Sequence, residues 1–164
     1  EGFSTSGIIV QVKRERCYFM IDTTQDWAEY DRAFLHGKLA DLRNRRNRLM
    51  KQGCSVQVVS LKTGISAYLD DLFAHYDARR AALGQQFASS TEEVKSFIRQ
   101  IVAEREQRGG VILSLLQEQT SGDILAYQLD WLNQGVRFHW HPTFNPQYAQ
   151  YSPGKILRFH RVSE

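Results

Sequence analysis

The sequence predicts an α/β (α+β) fold in which helices flank a mixed, mostly antiparallel sheet. Amphipathic helical patterns recur between residues 26 and 108, and three short strand patterns follow one another after residue 110. The chain has 164 residues, of which 42% are apolar and 24% charged, the composition of a soluble globular protein. This length suffices for one core, so we expect a single domain over residues 1–164.

The N-terminal segment predicts two short strands and a helix. The strands are expected at Ile8–Val12 and Tyr18–Ile21, with the charged turn Lys13–Arg16 between them. Asp26 and Glu29 are spaced as in a capping box, so a helix is expected to begin at Asp26. Its apolar face would consist of Trp27, Tyr30 and Phe34.

A basic helix and a strand are predicted next. The helix runs from Lys38 to Gln52, and Gly53 provides its stop. Helical spacing directs Arg45 and Arg48 to solvent and Arg46 inward, where a guanidinium needs an acceptor. The following strand, Ser55–Leu61, is mostly apolar and suits a buried position. The inward stripe of the helix is Leu39, Leu42, Arg46 and Leu49.

Two further helices are predicted before the strands of the C-terminal half. One spans about Ile65 to Ala82, and Leu83–Ser89 is expected to be a loop. Ser90 and Glu93 match a capping box, which indicates a helix start at this point. The second helix carries the clearest amphipathic stripe of the chain, namely Val94, Phe97, Ile98, Ile101 and Val102.

Three strands in a meander are predicted after Gly110. The first two are Val111–Gln117 and Ile124–Trp131, and the third begins at Gly135. Pro142 and Pro146 are expected to end the third strand, because proline cannot donate to a ladder. Along this strand Val136, Phe138 and Trp140 alternate with Arg137, His139 and His141.

The segment Ser152-Pro153-Gly154-Lys155 predicts a helix start that can hold a phosphate. Ser is a favoured N-cap, Pro suits the first turn, and Gly lets another molecule approach the backbone. Free amides at a helix start, with a lysine beside them, attract anions. Tyr148 and Tyr151 precede this segment and are candidates either for ligand stacking or for loop packing.

The last two strands present candidates for proton transfer. Asp130 and Gln128 lie two residues apart and share a strand face. Hairpin pairing could bring that face against Arg137, His139 and His141, which are expected to share a face of the next strand. A carboxylate beside an imidazole could accept a proton from an attacking amine near neutral pH. An ordinary cross-strand polar pair explains the same pattern. A metal at His139 and His141 is disfavoured because no third ligand lies nearby.

Several totals limit the class of protein. The longest apolar run is too short to cross a bilayer, and two cysteines favour a reducing cytoplasm over a disulfide framework. The net charge of +3 and pI near 9.0 are compatible with an anionic ligand. Nucleic acid is a rival partner for the basic run Arg43–Arg48, but no stacking aromatic residues are interleaved with it.

Three motifs together resemble the GNAT-fold acyltransferases. Within this family they resemble the CelD-like branch, which is named after the cellulose-biosynthesis protein CelD and is related to the FemAB enzymes. They are the basic helix Lys38–Gly53, the helical segment His75-Tyr-Asp-Ala-Arg79-Arg80, and the run from Phe144-Asn145-Pro146 to Ser152-Pro153-Gly154-Lys155. The resemblance covers roughly residues 25–160. It implies transfer of an acyl group from acetyl-CoA or another acyl-CoA to a small-molecule or cell-envelope amine, with no metal.

The resemblance also implies roles for individual residues. The loop Ser152–Lys155, with Tyr148 and Tyr151, would hold the donor's diphosphate, and Arg46, Arg79 and His141 would contact the acceptor. The expected proton acceptor, Asp130 or His139, follows instead from the geometry of the shared strand face. Such domains continue past this helix into further strands. We therefore expect that the chain is a fragment, that a partner chain or the N-terminal strands complete the sheet, or that the protein has lost the donor site. Two alternatives are therefore kept: a FemAB-like transferase that uses aminoacyl-tRNA, and a non-catalytic module that dimerises through its sheet edge.

Overall fold

The computed structural model describes residues 3–5, 8–10, 26–30, 32–33, 38–84 and 91–162. In chain order the strands are β1 (Phe3–Thr5), β2 (Ile8–Val10), β3 (Val56–Leu61), β4 (Val111–Glu118), β5 (Ile124–Asn133) and β6 (Val136–Phe144). The helices are α1 (Trp27–Tyr30), α2 (Lys38–Lys51), α3 (Leu69–Ala82), α4 (Glu92–Gln107) and α5 (Pro153–Val162). Short 3₁₀ helices, Ile65–Tyr68 and Pro146–Tyr151, precede α3 and α5.

Four strands form the main sheet in the order β3-β4-β5-β6, and every neighbouring pair is antiparallel. The predicted meander is therefore confirmed. The predicted buried position of β3 is wrong, because among the described strands it pairs only with β4 and most of its residues are half-buried or exposed.

The two faces of this sheet are covered by different helices. On one face α3 and α4 pack against alternate residues of β4 and β5, including Leu113, Leu115, Tyr127 and Leu129, all at most 1% exposed. On the other face Leu49 of α2 and Leu157 of α5 pack over one end of the sheet, around Leu116 and Ala126. The basic helix and the C-terminal helix thus lie on the same face.

The start of α4 differs from the sequence prediction by one residue. Thr91, not Ser90, is the N-cap, and its hydroxyl accepts a hydrogen bond from the Val94 amide at 3.4 Å. Ile98 and Val102 are buried as predicted, but Phe97 is 60% exposed. Apolar residues spaced three and four apart form a stripe along a helix, but a residue at the margin of this stripe, such as Phe97, can still face solvent.

The hairpin between β5 and β6 requires unusual backbone conformations. Gln134 and Gly135 have φ of 48° and 76°, so both central residues of this two-residue turn are left-handed, as in a type I′ turn. The strand then continues through Pro142, which lies opposite Gln128, to Phe144. The prediction that Pro142 ends the pairing is wrong. Proline is tolerated here because β5 is the only described neighbour of β6.

The N-terminal predictions are tested only in part. Residues 8–10 form a strand as expected, and it pairs with Phe3–Thr5. Asp26 caps α1, because its carboxylate accepts hydrogen bonds from the amides of Ala28 and Glu29. The second predicted strand, Tyr18–Ile21, the turn before it, and Phe34 lie outside the described residues.

Candidate active site

A register shift in the last hairpin determines which side chains meet. Between Leu129 and Asp130 the pairing with β6 slips by one residue, so His141 lies opposite Leu129 and His139 lies opposite Asp130. Because consecutive residues of β5 point to opposite faces, His139 and His141 also point to opposite faces. The prediction that the two histidines share a face is therefore wrong. Trp140 is the extra residue of this bulge.

Asp130 is the centre of a buried polar cluster on the face that carries α2 and α5. Its side chain is fully buried, and Oδ1 accepts hydrogen bonds from Gln128 Nε2 and His139 Nδ1, both at 2.8 Å. Oδ2 accepts from Arg137 Nε at 2.5 Å and forms an ion pair with Nη2 of the same residue. Both carboxylate oxygens thus have two partners, as a buried charge requires.

His139 is the member of this cluster that can reach an incoming molecule. Its side chain is 31% exposed, whereas that of Asp130 is 0% exposed. A carboxylate only accepts hydrogen bonds, so Nδ1 of His139 must donate, and in the neutral ring Nε2 is then left as an acceptor. The pair therefore presents an oriented imidazole with a basic nitrogen directed away from Asp130.

Arg137 connects this pair to a serine that the sequence did not single out. Arg137 Nη2 donates to Ser114 Oγ at 3.1 Å, and Ser114 is fully buried on β4. Alternation along the strand could have suggested this residue, since Ser114 lies opposite Gln128 in the ladder. The cluster thus spans three adjacent strands, which fixes the position of the carboxylate.

His141 lies on the other face, between β6 and α3. It is 8% exposed and stacks on Tyr76 with ring centroids 4.3 Å apart. Burial lowers the pKa of His141 to about 4, and the cation of Arg80 contributes, while the charge of Asp77 opposes the shift. Among the described residues, Nε2 of His141 has no hydrogen-bond partner. The side chain is therefore a neutral packing element at neutral pH.

The start of α5 differs from the predicted serine cap. Ser152 has a left-handed backbone, with φ and ψ both 53°, and its carbonyl accepts hydrogen bonds from the amides of Lys155 and Ile156. Its hydroxyl instead accepts a hydrogen bond from Arg45 Nη1 at 3.0 Å. In the described part of the chain the Gly154 amide donates to no protein acceptor, whereas the Lys155 amide donates to the Ser152 carbonyl.

The inward-facing arginine of α2 is Arg45, not Arg46. The side chain of Arg45 is 28% exposed and forms an ion pair with Asp41 at 2.7 Å in addition to its bond with Ser152. Arg46 is exposed. Residues three and four positions after Leu42 both neighbour it on a helix, so spacing alone could not decide between the two arginines.

Arg79 also lies beside the start of α5. Its guanidinium carbon is 4.8 Å from the centre of the Phe144 ring. A methyl group placed on Gly154 would be 3.7 Å from Cδ1 of that same ring, so Phe144 is the link between Arg79 and the first turn of α5. Lys155 is exposed at the same helix start. Three cationic side chains, those of Arg45, Arg79 and Lys155, therefore lie near the first turn of α5.

The two candidate tyrosines have packing contacts. Tyr148 and Tyr151 are half-buried against the apolar cluster that contains Leu49, Leu116 and Leu157. Burial raises the pKa of Tyr148. Both tyrosines therefore hold the turn before α5 against the sheet, and any contact with a ligand would be made by their exposed parts.

Two hollows lined by described residues lie near the basic helix. One, of about 270 Å³, lies between β3, α2 and α5 and is lined in part by Arg46 and His160. The other, of about 600 Å³, follows the outer side of α2. The Asp130–His139 pair lies beside β6, and neither hollow is lined by these two residues.

The described residues were also compared with the requirements of a metal site, a membrane span and a disulfide. No group of three potential metal-binding side chains is found there. None of the described helices combines the length and apolar character that a bilayer span requires. Cys54 is a half-buried free thiol, and Cys17 lies outside the described residues.

The fold and the site together indicate a class of protein. An antiparallel sheet with helices on both faces, whose last strand leads into an open helix start, is suited to hold an anionic donor beside a base. A family model described as an acetyltransferase (GNAT) domain matches residues 37–163. The chain therefore belongs to the GNAT acetyltransferase domain family, and the predicted GNAT-like fold is confirmed.

Comparisons with individual proteins are less informative. One similar solved structure is a GCN5-related N-acetyltransferase from Ralstonia eutropha JMP134, with 15% sequence identity and a TM-score of 0.49. The alignment covers 66% of this chain and 73% of that chain. No curated protein matches the sequence.

Proposed function

We propose that this domain is an N-acyltransferase that moves an acyl group from acyl-CoA to an amine. Family membership supports acyl transfer in general, and GNAT acetyltransferases use acetyl-CoA or another acyl-CoA as donor. The observation that carries the proposal for this chain is the start of α5, where the Gly154 amide has no acceptor among the described residues and the side chains of Arg45, Arg79 and Lys155 lie nearby.

The start of α5 fits the diphosphate of the donor. A helix N-terminus carries a partial positive charge, and its amides point toward a bound anion. The left-handed backbone of Ser152 brings its hydroxyl to Arg45, so this hydroxyl does not cap the Gly154 amide. Gly154 has no side chain to obstruct a phosphate. A Cβ added to it would lie 3.7 Å from Cδ1 of Phe144, an ordinary contact distance.

The polar cluster on β5 and β6 fits the proton acceptor. His139 and Phe144 are five positions apart on β6, a distance of about 16 Å along a strand. When bound, the donor supplies a thioester on an extended arm, and that arm would have to follow β6 to bring the acyl group near His139. We assign the proton-accepting role to His139, and Asp130 orients its ring, because only His139 is exposed.

The proposal also covers the amine acceptor and the CelD-like branch of the family. The amine nitrogen would attack the thioester carbonyl directly, with no covalent intermediate on the enzyme. The C–S bond breaks, coenzyme A leaves as its thiolate, and the amine loses its proton to His139 Nε2. The CelD-like branch and an envelope or small-molecule amine remain part of the proposal, supported by the motif from Phe144 to Lys155. A cytoplasmic location remains a prediction from the two cysteines.

Transfer kinetics of single variants test the proton-transfer assignment. His139→Ala and Asp130→Asn should each lower acetyl transfer to an amine panel by about 10²- to 10⁴-fold, with acetyl-CoA affinity retained. His75→Gln is a matched control, because His75 bonds a backbone carbonyl on α3. Unchanged rates in both variants would remove the assignment. If the unmodified protein neither binds nor turns over acetyl-CoA, the acyl-CoA proposal fails, and the FemAB-like transferase and the non-catalytic module are left.

A further inference from the structure

Two helices on one face of the sheet are rich in basic residues and nearly free of acidic ones. Helices α2 and α5 hold nine of the 21 Lys and Arg residues but only one of the 18 Asp and Glu residues. The rest of the chain therefore holds twelve basic and seventeen acidic residues. The two helices lie on the same face of the sheet, and Arg46 and His160 line one hollow between them.

Most of these charges are not neutralised by the protein. The basic surface is defined by six exposed side chains, and in the described part of the chain none of them has a carboxylate at ion-pair distance. They are Arg43, Arg46, Arg48, Lys51, Lys155 and Arg158. By contrast, Lys95 and Arg99 on α4 and Arg108 directly after it each form an ion pair.

The outer side of α2 adds hydrogen-bonding groups to this charge. The hollow of about 600 Å³ along the helix is lined by Asn44, Asn47, Arg48, Met50 and Lys51. Arginine, lysine and asparagine are residues that contact phosphate oxygens in nucleic-acid complexes. A membrane fits less well, because Met50 is the only exposed large apolar residue on α2 or α5 in the described structure.

We propose that the basic surface binds the phosphate backbone of a nucleic acid, with the strand lying along the hollow beside Arg48 and Lys51. Binding by this surface is electrostatic and independent of sequence, so it displaces condensed counterions and weakens as salt rises. This role is separate from the acyl transfer proposed above, since Arg48 and Lys51 lie outside the donor site.

Anisotropy titrations with a labelled RNA hairpin and the matching DNA hairpin test this proposal. Between 50 and 300 mM salt, the unmodified protein should bind with a dissociation constant of about 10⁻⁶ to 10⁻⁴ M that rises steeply with salt. The double variant Arg48→Gln, Lys51→Gln should reduce the salt slope by about two. Equal binding of both hairpins identifies backbone recognition, and a preference for RNA adds contacts to the 2′-hydroxyl.

A matched pair of substitutions provides the control. Lys62→Gln with Arg108→Gln removes two exposed cations elsewhere and should leave affinity and slope unchanged. Glutamine keeps helix propensity close to that of arginine and lysine, so folding should be retained in both double variants. The proposal is overturned by no binding at 50 mM salt, by equal slopes in both double variants, or by binding to anionic vesicles without binding to RNA.

Discussion

Asp130 and His139 illustrate how a buried charge can orient a more exposed base. The carboxylate accepts from Gln128, Arg137 and His139, and the arginine is itself held by Ser114. Removing one partner of such a cluster leaves a buried polar group unsatisfied, which costs about 1–3 kcal/mol or more. We therefore expect Asp130 variants to lose stability as well as activity, and His139 variants to lose mainly activity.

His141 leads to a prediction about acid stability. Its pKa falls from 6.5 to about 4 in the native protein. Between these pH values the unfolded chain binds the proton and the folded chain does not, so stability should decrease as the pH falls from 6.5 to 4. The loss from this residue is at most about 3 kcal/mol, and above pH 6.5 it should be absent.

Chemical denaturation at several pH values measures this effect. In His141→Phe the aromatic ring can still stack on Tyr76, but no proton is bound, so the difference in unfolding free energy between variant and unmodified protein should grow below pH 6.5. Parallel pH profiles for the two proteins would show that His141 does not titrate at an altered pKa.

At the residue scale, sequence spacing identified the right residue types but not their exact directions. Asp130, Arg137 and His139 were expected on one face and are found together. His141 was misplaced because one bulged residue, Trp140, reverses the alternation, and no local sequence signal marks it. Arg45 and Arg46 were exchanged because both are near neighbours of Leu42 on a helix.

The element that matters most for the proposed donor site is α5. Its first turn follows the left-handed Ser152, and Pro153 lacks an amide hydrogen, so the Gly154 amide is the first one available to a ligand. The 3₁₀ helix Pro146–Tyr151 fixes this geometry, with the Asn145 side chain accepting from the Gln147 amide. This 3₁₀ helix thus connects the end of β6 to the start of α5.

Substituting Gly154 separates binding from folding. A Cβ at this position would meet Phe144 at an ordinary 3.7 Å, so Gly154→Ala should fold with unchanged or slightly raised thermal stability. The added methyl group should obstruct the approach of a phosphate and weaken acetyl-CoA binding at least tenfold. Calorimetric titration and thermal melting measure the two effects.

Gly110→Ala is the matched control for this change. Its added Cβ would lie 3.6 Å from the nearest atoms, which belong to Arg105, and far from α5. We expect normal acetyl-CoA affinity in this variant. Equal affinities of Gly154→Ala and the unmodified protein would mean that the donor does not approach the backbone at Gly154.

At the element scale the sequence predicted most helices and strands. The helices over 38–52 and 92–107 and the meander of β4, β5 and β6 follow from apolar spacing and from caps. Pro142 was misread because proline ends a strand only where its missing N–H faces a partner. Among the described strands β3 pairs only with β4, and an apolar run does not reveal such long-range pairing.

For the whole molecule, the sheet separates two chemical environments. One face is an apolar core with α3 and α4, and the other carries the basic helices and the Asp130 cluster. The net charge of +3 conceals this segregation, which becomes evident only when α2 and α5 are found together. Composition therefore predicted a globular domain but could not predict how its charge is distributed.

The most direct test compares two donors that share a thioester but differ in charge. Calorimetry should give acetyl-CoA a dissociation constant within the common range of about 1 μM to 1 mM. S-acetylpantetheine, which lacks the diphosphate, should bind at least tenfold more weakly, because it cannot contact Gly154, Arg45 and Lys155. Equal affinities for the two donors, or no binding of acetyl-CoA, would contradict the proposal that α5 holds the donor's diphosphate.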